Sequence, residues 1–565
     1  MALRLYGSRW RGAAIGVLST VAGLALAHLV AGFSRSAASP VIAVGGEFID
    51  IVPMWLKDLA IDWFGTNDKV ALKAGIYSVL LLVGAVIGIM AVSDNRPGAY
   101  SATVVIGFIG AWAVLMRPDP SFVKLLPTIV GTAASLGVLW WLTTHTVPVV
   151  SRSALVDSTV VGDDMGASET HPETTMAMSS PSSPSSPMSA SFERRQFLYS
   201  AGAIAGVSVV AAATGERLAR RHDVSGEIAS LDLPTPADTL PPATTVPGIE
   251  VTAGSNGAVP GATDFGIEGV EAFQVPTDDF YRIDTALSVP QVPRDSWSLR
   301  IHGMVDNELE ITFDELIARP TIERYITLSC VSNEVGGGLV GNALFQGVLM
   351  SDLLNEAGIQ PGATQVVSRS IDGWNCGSPT SAIMDGRDAM VAFGMNGEPL
   401  PAEHGYPVRL VVPGLYGYVS ATKWVTDIEL TTWEAFDGYW VPRGWSKEGP
   451  VKTMARIDRP SRSGGLTANA NGVVDIAGLA WAVHRGISKV EVQIDDGEWL
   501  ECELAGVPSD DTWRQWRYQW VDAPLGDHQV KARAFDGAGE PQPVGPKSVA
   551  PDGAEGYHTV RFAVR

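Results

Sequence analysis

Long uncharged runs dominate the first part of the chain. Residues 12 to 33 read GAAIGVLSTVAGLALAHLVAGF, and similar runs follow at about 75 to 93, 100 to 116 and 127 to 147. A helix rises ~1.5 Å per residue, so each run reaches across roughly 30 Å of hydrocarbon. Residues 1–149 are therefore expected to form a four-helix transmembrane region. The intervening GGEFIDIVPMWLKDLAIDWFGTNDK mixes acids with scattered aromatics and suits an interfacial or loop segment. Residues 150–193 are rich in Ser, Pro and Thr and poor in aromatics, a disordered linker on the cytoplasmic side.

Apolar character returns in FERRQFLYSAGAIAGVSVVAAAT, where Arg194 and Arg195 precede a mild small-residue run. Residues 194–215 are read as a fifth transmembrane helix carrying a motif that resembles a twin-arginine export signal. The alternative is two arginines holding the inner end of an ordinary span. Either way, with Arg4, Arg9 and Arg11 inside, five crossings put everything beyond residue 215 outside. The basic RLARRH after the fifth run weighs against that orientation. Residues 216–275, rich in Pro, Thr and Gly, read as an extended outer tether.

Alternation takes over from 276. Trp297, Leu299 and Ile301 mark a half-buried strand, and residues 324 to 330 another, with Ile326, Leu328 and Cys330 on one face. Beyond it, Asn333 and Gly336-Gly337-Gly338 form a turn where backbone can approach a ligand. A short helix is expected from about 351, with Ser351 as N-cap and Gly358 as its stop. In the last hundred residues Val490, Val492 and Ile494 alternate, turn at Asp496-Gly497 and resume through Trp499, and HQVKARAFDGAG supplies a further strand. Trp481, Trp513 and Trp516 are expected to be core or interdomain packing.

Composition narrows the chemistry. With 61 acids against 40 bases and a net charge of -21, a nucleic acid is a poor partner. The three cysteines, Cys330, Cys376 and Cys502, form no C-x-x-C pair, haem-attachment motif or iron–sulfur spacing. Any redox chemistry must rest on something else. His28 and His145 lie in or near the spans at opposite ends, too far apart to share a haem, so no haem or iron–sulfur cluster is expected.

LSCVSN…GNALFQGV, followed by MNGEPLPAEHGYPVRLVVPGLYGYVSATKWV, resembles the molybdenum-pterin domain of the sulfite oxidase family. The resemblance covers about residues 276 to 565. It implies an α+β molybdopterin domain over 276–460 and an immunoglobulin-like dimerisation-type β-sandwich over 461–565, behind the multi-span α-helical anchor. It also implies one pyranopterin whose molybdenum is bound by the Cys330 thiolate, a ligand that suits a soft metal site. Arg282 of FYRID matches the family's arginine near the metal, and Asp284 stands where the family has a histidine. His404 and Arg409 match positions holding the pterin and its phosphate, and Thr422 and Lys423 belong to the segment closing over the cofactor. Tyr281, Asn333 and Asp372 complete the implied cofactor-binding set. Cys376 and Cys502 are expected to be structural.

Two departures bear on substrate. Where sulfite oxidases follow the cysteine with arginines, this chain has Val331-Ser332-Asn333-Glu334. The family's active-site tyrosine aligns with Trp445 of YWVPRGW, which has a donor N–H and no titratable hydroxyl. The leading expectation is oxygen-atom transfer on a small molecule other than sulfite, with electrons passed to a separate quinone-linked or cytochrome partner. A sulfite dehydrogenase drawing positive charge from His484-Arg485 or from Arg514 and Arg517 is the second. A non-catalytic binding or assembly protein with a degenerate domain is the third. The implied partners are the membrane, the twin-arginine export machinery and a second copy in a homodimer.

Overall fold

The uncharged runs fold as helices in the computed structural model, which describes residues 2–33, 39–52, 68–93, 95–116, 122–145, 187–238, 263–461, 466 and 473–565, with 56, 59, 63 and 64. The described chain divides into two units, Met1–His222 and Asp223–Arg565. The first contains α1 (Ala2–Ala31), α2 (Pro40–Ile51), α3 (Asp68–Val92), α4 (Arg96–Leu115), α5 (Phe122–His145) and α6 (Pro187–Ala219). Five helices among the described residues are long and apolar enough to cross a membrane. Small residues let α1 and α3 approach closely: a Cβ on Gly16 would lie 1.8 Å from the Gly84 carbonyl oxygen. Asn95 caps α4 by accepting from the Gly98 N–H at 3.1 Å. His28 lies 3.6 Å from Glu216, and His145 stacks on Trp141.

Two sheets build the first half of the second unit. Its strands are β1 (Ser298–Gly303), β2 (Leu309–Thr312), β3 (Ile322–Ser329), β4 (Val340–Leu349), β5 (Gln365–Ser370), β6 (Asn375–Pro379), β7 (Met390–Met395), β8 (Glu398–Pro399), β9 (Arg409–Val411) and β10 (Val425–Thr431). One sheet runs β2-β1-β10-β5-β6, with β1 and β10 parallel; the other runs β3-β4-β7-β8, with β9 on β7. Trp297, Leu299 and Ile301 are buried as the alternation demands. On β3 the one-faced expectation gives way: Tyr325 to Ser329 are all buried. Residues 511–513 cover it, with Thr327 donating its N–H to the Asp511 carbonyl at 2.9 Å and its hydroxyl accepting from the Trp513 N–H at 2.7 Å. The helix after β4 spans Met350–Ala357; Leu349, not Ser351, is its N-cap, while Gly358 ends it at φ 74°.

The second half holds two four-stranded antiparallel sheets. β11 (Met454–Arg459), β12 (Val473–Trp481), β13 (Ile487–Ile494), β14 (Trp499–Glu501), β15 (Glu503–Leu504), β16 (Arg514–Val521), β17 (Gly526–Asp536) and β18 (His558–Val564) arrange as β11-β12-β16-β15 and β14-β13-β17-β18. Ile476, Val490, Val492, Trp516, Val530 and Phe562 from both sheets share one core. The β13–β14 hairpin forms, but its turn is centred one residue earlier than expected. Asp495 and Asp496 take φ of 49° and 57°, and Gly497 closes the turn by donating to the Ile494 carbonyl at 2.9 Å. Two positive φ values define the turn that matches strand twist.

The expected tether, 216–275, behaves differently in its described parts. Glu227 accepts from the Arg294 N–H at 2.8 Å and from the Tyr406 hydroxyl at 2.5 Å, and Asp238 bridges to Ile322 at the edge of β3. Phe273 is buried, its carbonyl receiving the Trp513 indole N–H at 2.8 Å. Composition signals extension, but these segments are held by hydrogen bonds to the domain behind them. Residues 239–262, and 150–186 of the expected linker, lie outside the described residues; 187–193 begin α6.

Candidate active site

Cys330 is the first residue beyond β3, where strand hydrogen bonding stops and a side chain is released from the sheet. Its N–H donates to the Leu339 carbonyl at 2.9 Å, and its carbonyl accepts from Asn333 at 3.1 Å. The Asn333 side chain accepts from the Leu339 N–H at 2.8 Å, so this predicted cofactor residue serves as the brace of the turn. The Ser332 N–H points at the Cys330 sulfur from 3.4 Å. Burial pushes the thiol's pKa up, and that N–H draws it back. The glycines were expected to admit a ligand; Gly336 instead admits His558 of β18, since a Cβ at its φ of 78° would lie 2.2 Å from the ring nitrogen.

A second group gathers cations. Tyr281 stacks on Phe280 with centroids 5.2 Å apart. Burial and the nearby Cys330 push its hydroxyl up while Arg409 opposes, so Tyr281 lies within electrostatic reach of both. Arg282 Nε and Lys423 Nζ donate to the same Asp284 carboxylate oxygen at 2.9 and 2.8 Å, and Lys423 also reaches the Glu403 carbonyl at 3.0 Å. Arg409, 6% exposed on β9, donates among the described residues to the carbonyls of His404 at 3.3 Å and Leu410 at 3.4 Å and lies over the Phe345 ring. No carboxylate among the described residues bears on it, and burial pulls its pKa down to about 10. His404 donates Nε2–H to the Thr277 carbonyl at 3.2 Å; burial, Arg409 and Lys423 hold it down to about 4. Burial and the neighbouring arginines bring Lys423 to about 8, against the pull of Asp284. Gly405, at φ 115°, lets this turn close on Arg409 and Lys423.

Two other expected residues turn elsewhere. The Thr422 hydroxyl is taken up by Ser368 at 2.6 Å and Cys376 at 3.3 Å, a buried cluster in which the Cys376 thiol is pushed up to about 11. Asp372 accepts from the Trp374 N–H at 3.1 Å in the turn between β5 and β6. Trp445 is 9% exposed between Tyr418 and Trp440, with centroids 5.9 and 6.2 Å away, and its indole N–H has no partner among the described residues.

Tyr416 escaped the sequence reading. It precedes the short helix Gly417–Ser420, where a Cβ on Gly417 would lie 3.9 Å from the Ser329 carbonyl, so this segment packs against the strand end that carries Cys330. Its hydroxyl, which accepts from the Lys452 N–H at 3.3 Å, is pushed up to about 12 by burial and by Cys330. The glycine-flanked GLYGY was the available signal.

These residues fit an anionic cofactor with a thiolate-bound metal. Two basic side chains, Arg282 and Lys423, share one carboxylate, and a buried guanidinium held among the described residues by carbonyls is short of the paired oxygens that a phosphate offers. Known proteins agree. Residues 286–440 match the family described as oxidoreductase molybdopterin binding domain. An uncharacterized oxidoreductase, YuiH of Bacillus subtilis (strain 168), is 33% identical over 153 residues, 27% of this chain and 74% of that protein. Human mitochondrial sulfite oxidase is 28% identical over 304 residues, 46% of this chain and 55% of the enzyme; Arabidopsis thaliana sulfite oxidase is 25% identical over 338 residues, 50% and 85%. The chain thus spans little more than half the length of the mitochondrial enzymes it matches. Among solved structures, the sulfane dehydrogenase SoxCD from Paracoccus pantotrophus aligns with a TM-score of 0.46 and 23% identity, covering 57% of this chain and 90% of that one. The protein is a molybdopterin-dependent oxidoreductase. It belongs to the sulfite oxidase family.

Proposed function

We propose that this oxidoreductase is membrane-anchored, faces outward and acts by oxygen-atom transfer on a substrate other than sulfite. The observation that carries the cofactor side of the reading is the buried Arg409, which has no carboxylate partner among the described residues. Arg409, His404 and Lys423 would hold the anionic end of the pterin, and the Cys330 thiolate would bind molybdenum. When bound, that group supplies the oxygen-atom and electron chemistry. The chain's own part is to bind, shield and orient. Tyr281 and Tyr416 lie within electrostatic reach of Cys330, with hydroxyls that burial pushes above the ordinary phenol range, while Trp445 offers a proton donor that cannot titrate.

That last property separates this site from one built on a tyrosine. Glu334 contributes less, because it is exposed and a unit charge ~4 Å from an anion costs only about 1 kcal/mol in water. Sulfite remains the second reading on one observation. Arg485 is felt at Tyr416, although its guanidinium also contacts Asp536 at 3.2 Å. The other candidate charges are engaged: His484 by Asp511 at 3.0 Å, Arg517 by Glu503 at 2.8 Å, and Arg514 by the carbonyls of Ala505 and Ile487.

The five long apolar helices support the anchor, and exposed residues such as Phe108 and Val207 suit a lipid surface. The two antiparallel sheets of residues 454–564 fit an immunoglobulin-like domain of the dimerising kind. A separate electron carrier completes the cycle, and export by the twin-arginine machinery would follow cofactor insertion. Molybdenum content tests the reading. Near one atom per native chain, with loss or a changed resonance spectrum in Cys330→Ser, is expected; metal-free protein from a cofactor-competent host overturns it. Turnover of sulfoxides or N-oxides but not sulfite would separate the two substrate readings.

A further inference from the structure

One carboxylate holds two cations. Asp284 Oδ2 receives Arg282 Nε at 2.9 Å and Lys423 Nζ at 2.8 Å, and its side chain is 6% exposed. Lys423 cannot swing away, because its amine also reaches the Glu403 carbonyl at 3.0 Å and lies 5.0 Å from the Trp424 ring centroid. The charged groups facing that amine are Asp284 and Arg282 from the 281–284 segment and Arg409 from β9, with His404 from the turn beside it. A neutral histidine at position 284 would have a single acceptor nitrogen and no charge. It could not hold two cations at once.

We propose that Asp284 is the positioning residue of this site: its single carboxylate holds Lys423 and Arg282 together and fixes the charge they present to the anionic end of the cofactor. This rests on the cofactor reading above. The physical reason is a competition. Burial and two arginines drive the proton off Lys423, and Asp284 keeps it on, leaving the amine at about 8. Without that carboxylate the amine would lose its proton at lower pH still, so the charge seen by the cofactor would fall away below the range, near pH 8, in which the native amine titrates.

The test uses the full chain in detergent, made in a host that supplies the cofactor, as wild type, Asp284→Asn and Asp284→Glu. Three quantities are read: molybdenum per chain, the molybdenum reduction midpoint from pH 6 to 9, and the pH dependence of trace acetylation of Lys423 in cofactor-free protein, by mass spectrometry. Asp284→Asn is expected to keep molybdenum while the break in its midpoint-versus-pH curve moves acidward by about one pH unit or more. Lys423 labelling should move with it, and Asp284→Glu should restore both. Retained molybdenum with an unchanged pH profile overturns the proposal. So does loss of molybdenum with unshifted Lys423 labelling, which would assign Asp284 to folding alone. Metal-free wild type would overturn the cofactor reading by itself, and the labelling of Lys423 would then decide the role of Asp284.

Discussion

A buried arginine without a carboxylate is a debt to a ligand, and the site is most easily tested there. Arg409→Met keeps much of the side chain's bulk and removes the charge; the variant should fold, and molybdenum per chain should fall at least tenfold, measured by mass spectrometry on purified protein. His404 gives a pH signature. Its folded pKa, about 4, lies below the ordinary value near 6.5, so between these limits the unfolded chain binds a proton that the native one refuses. Stability of cofactor-free protein should therefore fall as pH drops from 6.5 towards 4, by on the order of 3 kcal/mol from this residue. Chemical denaturation at several pH values should show a shallower slope for His404→Gln. Cys330 and the HGYPVRL stretch stood out in the chain because the motifs around them resemble those of the family. Tyr416 did not, because its place beside Cys330 depends on how the Gly417–Ser420 helix packs on the end of β3. Thr422 and Asp372 were legible as positions but not as contacts. Which way a hydroxyl or carboxylate turns is settled by the nearest buried partner, here Ser368 and the Trp374 N–H.

At the scale of elements, alternation and glycine placement predicted strands and stops well where one face is wet. Gly358 ends its helix and Val490 and Val492 face a core as read. β3 departed from its one-faced pattern because residues 511–513 cover it, and periodicity records burial without saying what buries. Gly336 shows the same limit. Replacing it with Ala places a Cβ against His558 and strains a positive φ, so Gly336→Ala should cost about 1–3 kcal/mol, read by denaturant unfolding. The β13–β14 turn offers the opposite sign. Asp496 holds φ 57° at a position that favours glycine, so Asp496→Gly should stabilise the hairpin by up to about 0.5 kcal/mol, with loss of the exposed pair to Lys531 offsetting part of the gain.

For the molecule as a whole, residues 223–565 are expected to unfold in one transition, because Thr327, Asp511, Trp513 and Phe273 tie the sheets of residues 298–431, those of residues 454–564 and the 263–275 segment together. Trp513→Ala removes a fully buried indole and its hydrogen bond to the Phe273 carbonyl; it should cost roughly 3–5 kcal/mol or split the transition, as seen by following tryptophan fluorescence and circular dichroism together. The sequence by itself determined the division into apolar helices and soluble strands, because runs and alternation are local properties of the chain. It also supplied the cysteine, the basic residues and the tryptophan of the proposed site, because side-chain chemistry does not depend on the fold. Tertiary structure alone decided which charges meet. Asp284 and Lys423 are 139 residues apart, and only the packing of their segments makes one carboxylate the partner of two cations.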